Sequence, residues 1–136
     1  PTGLSLDINT GLISGIPIIS APNTTYTVTT SQNSGACSIS QTYTFAINCP
    51  TLTFTNLSIS SATVGTNFSL NASVVGNTQP LTYSITPSLP AGLSLDVNTG
   101  MITGTPTNIS SLTSYTITAS QNNSNCFITK VYDIAI

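Results

Sequence analysis

Few residues in this chain could do chemistry. Its 136 residues include three cysteines (Cys37, Cys49, Cys126), three carboxylates (Asp7, Asp96, Asp133), one lysine (Lys130) and no histidine or tryptophan. Without histidine, Ser-His-Asp and Cys-His nucleophilic systems cannot form in their usual way, and the common zinc sites lose their nitrogen ligand. A glycosidase-type acid pair within one domain would have to come from Asp96 and Asp133. Asp96 reads better as a turn residue bonding its own backbone. Asp96-x-Asn98-x-Gly100 looks like the start of a calcium loop, but such a loop needs further oxygen ligands and a bidentate Glu that this chain lacks. No catalytic residue, metal site or cofactor is expected.

Six Asn-x-Ser/Thr sequons, at Asn23, Asn56, Asn67, Asn71, Asn108 and Asn122, offer weak candidates for glycan attachment in a chain this rich in the same residue types. Ser (20), Thr (25) and Asn (13) supply 58 of the 136 residues, while charged residues are 3%. The surface must therefore be made of hydroxyls and amides. A net charge of −2 with one basic residue leaves nothing to neutralise phosphates, which argues against nucleic acid and anionic membranes as partners. No apolar run approaches the roughly 18 residues of a spanning helix, so membrane insertion is not expected.

The elements that must position these residues are set by an internal repeat. Pro90 to Pro106, PAGLSLDVNTGMITGTP, recurs as PTGLSLDINTGLISGIP at Pro1 to Pro17, and a shift of 89 positions (90 − 1) aligns 1–47 with 90–136 without a gap, 24 of 47 pairs being identical. Each copy reads as two short strands, Leu93 to Leu95 and Met101 to Thr103 in the second, joined by a polar turn whose Asn and Gly supply positive φ. This motif resembles the recurrent core LPxGLxLDxxTGxIxGTP of the putative-Ig repeat, a cadherin-like family found in tandem in large bacterial surface proteins. Leu89 to Asp96 and Gly100 to Pro106 match nearly every place, and the first copy departs at Ile16, where the second has Thr105. The resemblance implies an immunoglobulin-like β-sandwich used as a spacer or adhesive module, without catalysis.

Along the chain, residues 1–49 read as the C-terminal half of one repeat and 50–136 as a complete one, with Asn48-Cys49-Pro50 as the boundary. Thr24 to Ser31 alternates as a half-buried strand, Gln32 to Ala36 is a polar turn, and Cys37 to Ile47 is a long strand with Ile39, Tyr43, Phe45 and Ile47 inward. Gln41, the counterpart of Lys130, is a polar interruption that suggests a bulge or a rim. In the complete repeat, strands are expected at Thr51 to Ile59, Asn67 to Val75, around Leu81 to Ile85, in the repeated hairpin, at Ser114 to Ser120 and at Cys126 to Ile136. The fold class is thus all-β, with tandem seven-stranded antiparallel immunoglobulin-like sandwiches. Its expected core is Phe68, Leu70, Tyr83, Ile85, Leu95, Ile102, Tyr115, Ile117, Tyr132 and Ile134.

Residues 1–49 carry only the last four strands of a repeat, which leaves an inner face and an edge open. Either upstream sequence or another molecule supplies the rest, and an interior piece of a tandem array favours the former. Among the cysteines, Cys37 and Cys49 lie at opposite ends of one strand, 12 residues and so roughly 40 Å apart, against the 4.4–6.8 Å or so that a disulfide allows. Cys37 and Cys126 are about one domain length apart. In a seven-stranded sandwich the turn before the last strand lies at the end where the first strand starts, so a Cys49–Cys126 disulfide is expected, with Cys37 unpaired. Oxidation implies an extracellular setting. The expected function is a structural or adhesive repeat of an extracellular cell-surface fibre, partnered by neighbouring repeats and by other copies in the fibre. The alternative is a carbohydrate- or protein-binding module, such as one appended to an exported hydrolase, with Ile18 to Asn23 and Thr107 to Thr113 as recognition loops.

Overall fold

A computed structural model describes residues 1–32, 37–56, 59–122 and 124–136, the side chain of Ile59 excepted. Every element among them is a strand, and the chain divides into two units, Pro1–Cys49 and Pro50–Ile136. The turn expected at Gln32 to Ala36 lies mostly outside the described residues.

The first unit holds two antiparallel hairpins. In one, β1 (Leu4–Leu6) pairs with β2 (Ile13–Gly15); in the other, β3 (Ala21–Ser31) pairs with β4 (Ser38–Ile47). Strand β3 alternates as its sequence dictates, with Tyr26 and Val28 half-buried and Thr27 and Thr29 exposed. Tyr26 stacks on Phe45 with ring centroids 4.9 Å apart. Ile39 and Tyr43, expected to point into a core, are exposed.

The second unit recovers the seven expected strands, two of them broken. Thr51 to Ile59 becomes β5 (Thr53–Phe54) and β6 (Ile59–Ser61), and Asn67 to Val75 becomes β7 (Phe68–Asn71) and β8 (Val74–Val75). The remaining strands are β9 (Leu81–Thr86), β10 (Leu93–Leu95), β11 (Met101–Gly104), β12 (Thr113–Gln121) and β13 (Phe127–Ala135). The second break is a change of partner. Up to Asn71 the strand pairs with β11, the Ala72 N–H still reaches the Gly100 carbonyl, and then the Ser73 carbonyl accepts from Thr55 on the other side. One layer is the sheet β6-β13-β12-β9 and the opposing strands form β10-β11-β7 and β5-β8.

Among the described residues pairing is antiparallel except between β6 and β13, which run parallel from Asp133↔Ile59 to Ala135↔Ser61. The wholly antiparallel expectation is corrected here, because the first strand of the sandwich crosses to the last and both run the same way. Between the layers, Phe68, Tyr83, Ile102, Tyr115, Ile117, Tyr132 and Ile134 are buried, as alternation and motif position require, joined by Leu52, Ala72, Val74 and Ala119. Each large apolar side chain so buried stabilises the fold by about 1.5–3 kcal/mol. Leu70, Ile85 and Leu95 are only half-buried at the margin of this core.

Candidate functional site: the repeated hairpin and the cysteines

The two copies of the hairpin fold alike because the same side chains close the same turn. In β10–β11 the Asp96 carboxylate accepts the N–H groups of Asn98 (2.8 Å) and Thr99 (3.3 Å), while the Gly100 N–H donates to the Asp96 carbonyl at 2.9 Å. In β1–β2 the Asp7 carboxylate accepts from Asn9 (2.8 Å) and Thr10 (3.2 Å), and the Gly11 N–H donates to the Asp7 carbonyl at 2.8 Å. These donors hold both carboxyls below the usual range, the Asn98 N–H first and Thr99 second for Asp96, and Asn9 then Thr10 for Asp7. Asp133, the other acid of the complete unit, accepts the Ser114 hydroxyl at 2.6 Å. Each acid thus has its own local partner.

Gly100 does more than turn the chain. Its φ is +74°, and a Cβ there would lie 2.6 Å from the Tyr83 ring. Tyr83 lies against this turn, its own N–H donating to the Val97 carbonyl at 2.7 Å, so the repeated motif anchors the core as well as linking two strands.

Cys49 and Cys126 are each disulfide-bonded, and Cys37 is a free, exposed thiol. Cys126 is buried at the start of the last strand, where its N–H donates to the Ser124 hydroxyl at 3.1 Å. A disulfide persists in oxidising compartments, which fits an extracellular domain.

The sequons divide by environment. Asn23, Asn67, Asn71, Asn108 and Asn122 are exposed. Asn56 is half-buried and engaged: its amide donates to the Asn71 carbonyl, its side-chain oxygen accepts the Tyr132 hydroxyl at 2.7 Å, and its own carbonyl accepts Lys130 Nζ. Lys130 Nζ lies 5.4 Å from the Tyr132 ring centroid, a cation–π distance. The β12–β13 register is continuous through Lys130, so the polar interruption is a rim position and not a bulge. Burial pushes the Tyr132 phenol up, opposed by its bond to Asn56. Beside this cluster a cavity of about 640 Å³ is lined by Phe54, Asn56, Leu70 and Asn71 among others.

Gln121 was not singled out from the sequence, yet it is the buried polar residue that ties a loop down. Its side-chain carbonyl accepts the Thr78 N–H (3.0 Å), the Thr78 hydroxyl (3.1 Å) and the Gln79 N–H (2.9 Å). Identity with Gln32 across the repeat was the available signal. Both glutamines also use their backbone N–H alike, Gln121 to the Cys126 carbonyl at 2.9 Å and Gln32 to the Cys37 carbonyl at 3.1 Å.

Among solved structures, the chain is similar to a putative α-galactosidase from Bacteroides fragilis NCTC 9343, with 26% identity and a TM-score of 0.53 over 62% of this chain and 17% of that one. A putative α-galactosidase/melibiase from the same organism, 21% identical with the same TM-score and coverage, shares the fold. The chain therefore spans less than a fifth of the length of these structures. No curated protein matches it in sequence. The family described as Putative Ig domain matches twice, over residues 1–48 and 50–135, and with the hairpin, sandwich and repeat in place the chain belongs to that family.

Proposed function

We propose that this chain is a structural or adhesive repeat of an extracellular cell-surface fibre or large adhesin, a rigid spacer whose partners are neighbouring repeats and other copies in the fibre. The observation that carries the reading is the recurrence of one hairpin, bond for bond, in two family domains joined at Cys49-Pro50. Repeats of this kind add length in proportion to their number. In this reading Cys49 and Cys126 pair with each other and clamp the linker to the following domain. The support is that both are disulfide-bonded while the third cysteine is free, and that β6 runs parallel to β13, so the chain leading from Cys49 advances in the same direction as the strand leading from Cys126. Closing a loop of 77 residues (126 − 49) would stabilise by roughly 4–5 kcal/mol in the chain-entropy model. Proline at the boundary stiffens the joint further.

The second reading is a non-catalytic carbohydrate- or protein-binding module attached to an exported hydrolase, favoured by the likeness to the putative α-galactosidase. The loops Ile18 to Asn23 and Thr107 to Thr113, or the cavity beside Asn56, would then hold a ligand. Glycan-array and whole-cell adhesion measurements on the oxidised chain separate the two. A spacer gives background signal throughout, and saturable binding lost on replacing Ile109 and Leu112, both exposed in the second loop, would move the assignment to the binding module.

A further inference from the structure

The two units share a frame, and only the second is filled. In unit 2 the β12–β13 hairpin is the middle of a four-stranded sheet, flanked by β9 antiparallel on one side and β6 parallel on the other, and β11 has β7 as a third strand. In unit 1 the equivalent β3–β4 and β1–β2 pairs have no such neighbours among the described residues. The registers agree position for position, Tyr26 opposite Tyr43 as Tyr115 is opposite Tyr132. Burial differs in the same places. Tyr132 is 1% exposed and its counterpart Tyr43 is 49% exposed; Leu6 and Ile39 are exposed too, whereas their counterparts Leu95 and Ile128 pack against the core of unit 2. The rest of that core in unit 2 includes Leu52, Phe68, Ala72, Val74 and Tyr83, all from residues 50–89.

The cysteines repeat the pattern independently. Cys37 is the counterpart of Cys126 one period on (37 + 89), and Cys126 is disulfide-bonded while Cys37 is free and exposed. A segment with the sequence of residues 49–89 brings one cysteine, at its very start. Strand β6 runs parallel to β13 with Ile59 opposite Asp133, and the residues before it, Asn56 at Lys130 and Tyr132 and Phe54 at Tyr132, lie back along β13 toward the start of the last strand. We propose that unit 1 is an acceptor for the first half of a further repeat of the 49–89 type, and that its docking closes a disulfide between the incoming cysteine and Cys37. Two thiols become one disulfide; their two electrons and two protons pass to a low-molecular-weight disulfide, which leaves as two thiols. The inference rests on the tandem-repeat reading and specifies its joint.

The test extends the full chain with a duplicate of residues 49–89 ahead of Pro1, which repeats the native Leu89-Pro90 junction, in a glutathione redox buffer. The expected results are no reactive thiol per chain, a mapped disulfide from the added cysteine to Cys37, and a severalfold fall in apolar-dye fluorescence relative to the 136-residue chain. With the duplicated cysteine replaced by serine, the dye signal still falls and one reactive thiol remains, which separates docking from cross-linking. A reactive Cys37 with unchanged dye fluorescence in the extended chain overturns the proposal. So does a stable, dye-silent dimer of the unextended chain in sedimentation, which makes a second copy the occupant. Neither result bears on whether the repeats bind a glycan, so the spacer reading stands or falls separately.

Discussion

Replacing Gly100 by alanine imposes two separate costs on the complete unit. The first is conformational: φ at Gly100 is +74°, a left-handed region that costs an L-residue about 1–2 kcal/mol. The second is steric, since the new methyl would sit 2.6 Å from the Tyr83 ring, and that ring is buried in the core and cannot swing away. Overpacking of this kind costs about 1–3 kcal/mol, so Gly100→Ala should lose about 2–5 kcal/mol in all. Gly65 supplies the control within the same unit. Its φ is +76°, nearly the same, yet nothing lies within 4 Å of a Cβ placed there. Gly65→Ala should therefore show the conformational part alone, about 1–2 kcal/mol. Urea unfolding of the oxidised chain followed by tyrosine fluorescence gives both values, read as midpoint changes at constant slope. If Gly100→Ala falls within about 0.5 kcal/mol of Gly65→Ala, a resolution ordinary for such mutant differences, the packing role of the turn glycine is refuted.

Gln121→Leu removes the acceptor of two N–H groups and a hydroxyl at Thr78 and Gln79, and should cost about 1–3 kcal/mol in the same unfolding assay. For Asp7 and Asp96 the folded pKa lies below the ordinary 3.8, so the stability they contribute is present above that value and is lost as pH falls through the folded one. Side-chain NMR titration should place both midpoints below 3.8, and Asp96→Asn should flatten the acid loss of stability in unit 2. In a host that glycosylates sequons, peptide mapping by mass spectrometry should find Asn56 unoccupied, because its amide is held by Asn71 and Tyr132, while the exposed Asn67 and Asn108 remain acceptors.

The hairpin was legible in the sequence because its turn is closed by local chemistry: Asp96, Asn98, Thr99 and Gly100 meet their partners within five residues, and the motif is written twice. Strand faces were legible for the same kind of reason, since alternation at Tyr115, Ile117, Tyr132 and Ile134 follows from the pleat alone. What depends on distant pairing was not. The break after Asn71 arises where the strand trades β11 for β5, and no local residue type marks that exchange. Leu70, Ile85 and Leu95 alternate correctly and still sit at the core margin, because depth is set by the opposing sheet. Asn56 read as a surface sequon, whereas its partners Tyr132 and Lys130 lie more than seventy residues away.

The spacer account is tested most directly by small-angle scattering from arrays of two, three and four head-to-tail copies of residues 48–136, one full period with its linker cysteine, under oxidising conditions. The account predicts a maximum dimension that grows by a constant increment with each added copy and a cross-section that does not change. A maximum dimension that levels off while the cross-section thickens, as in a folded-back globule, would contradict it.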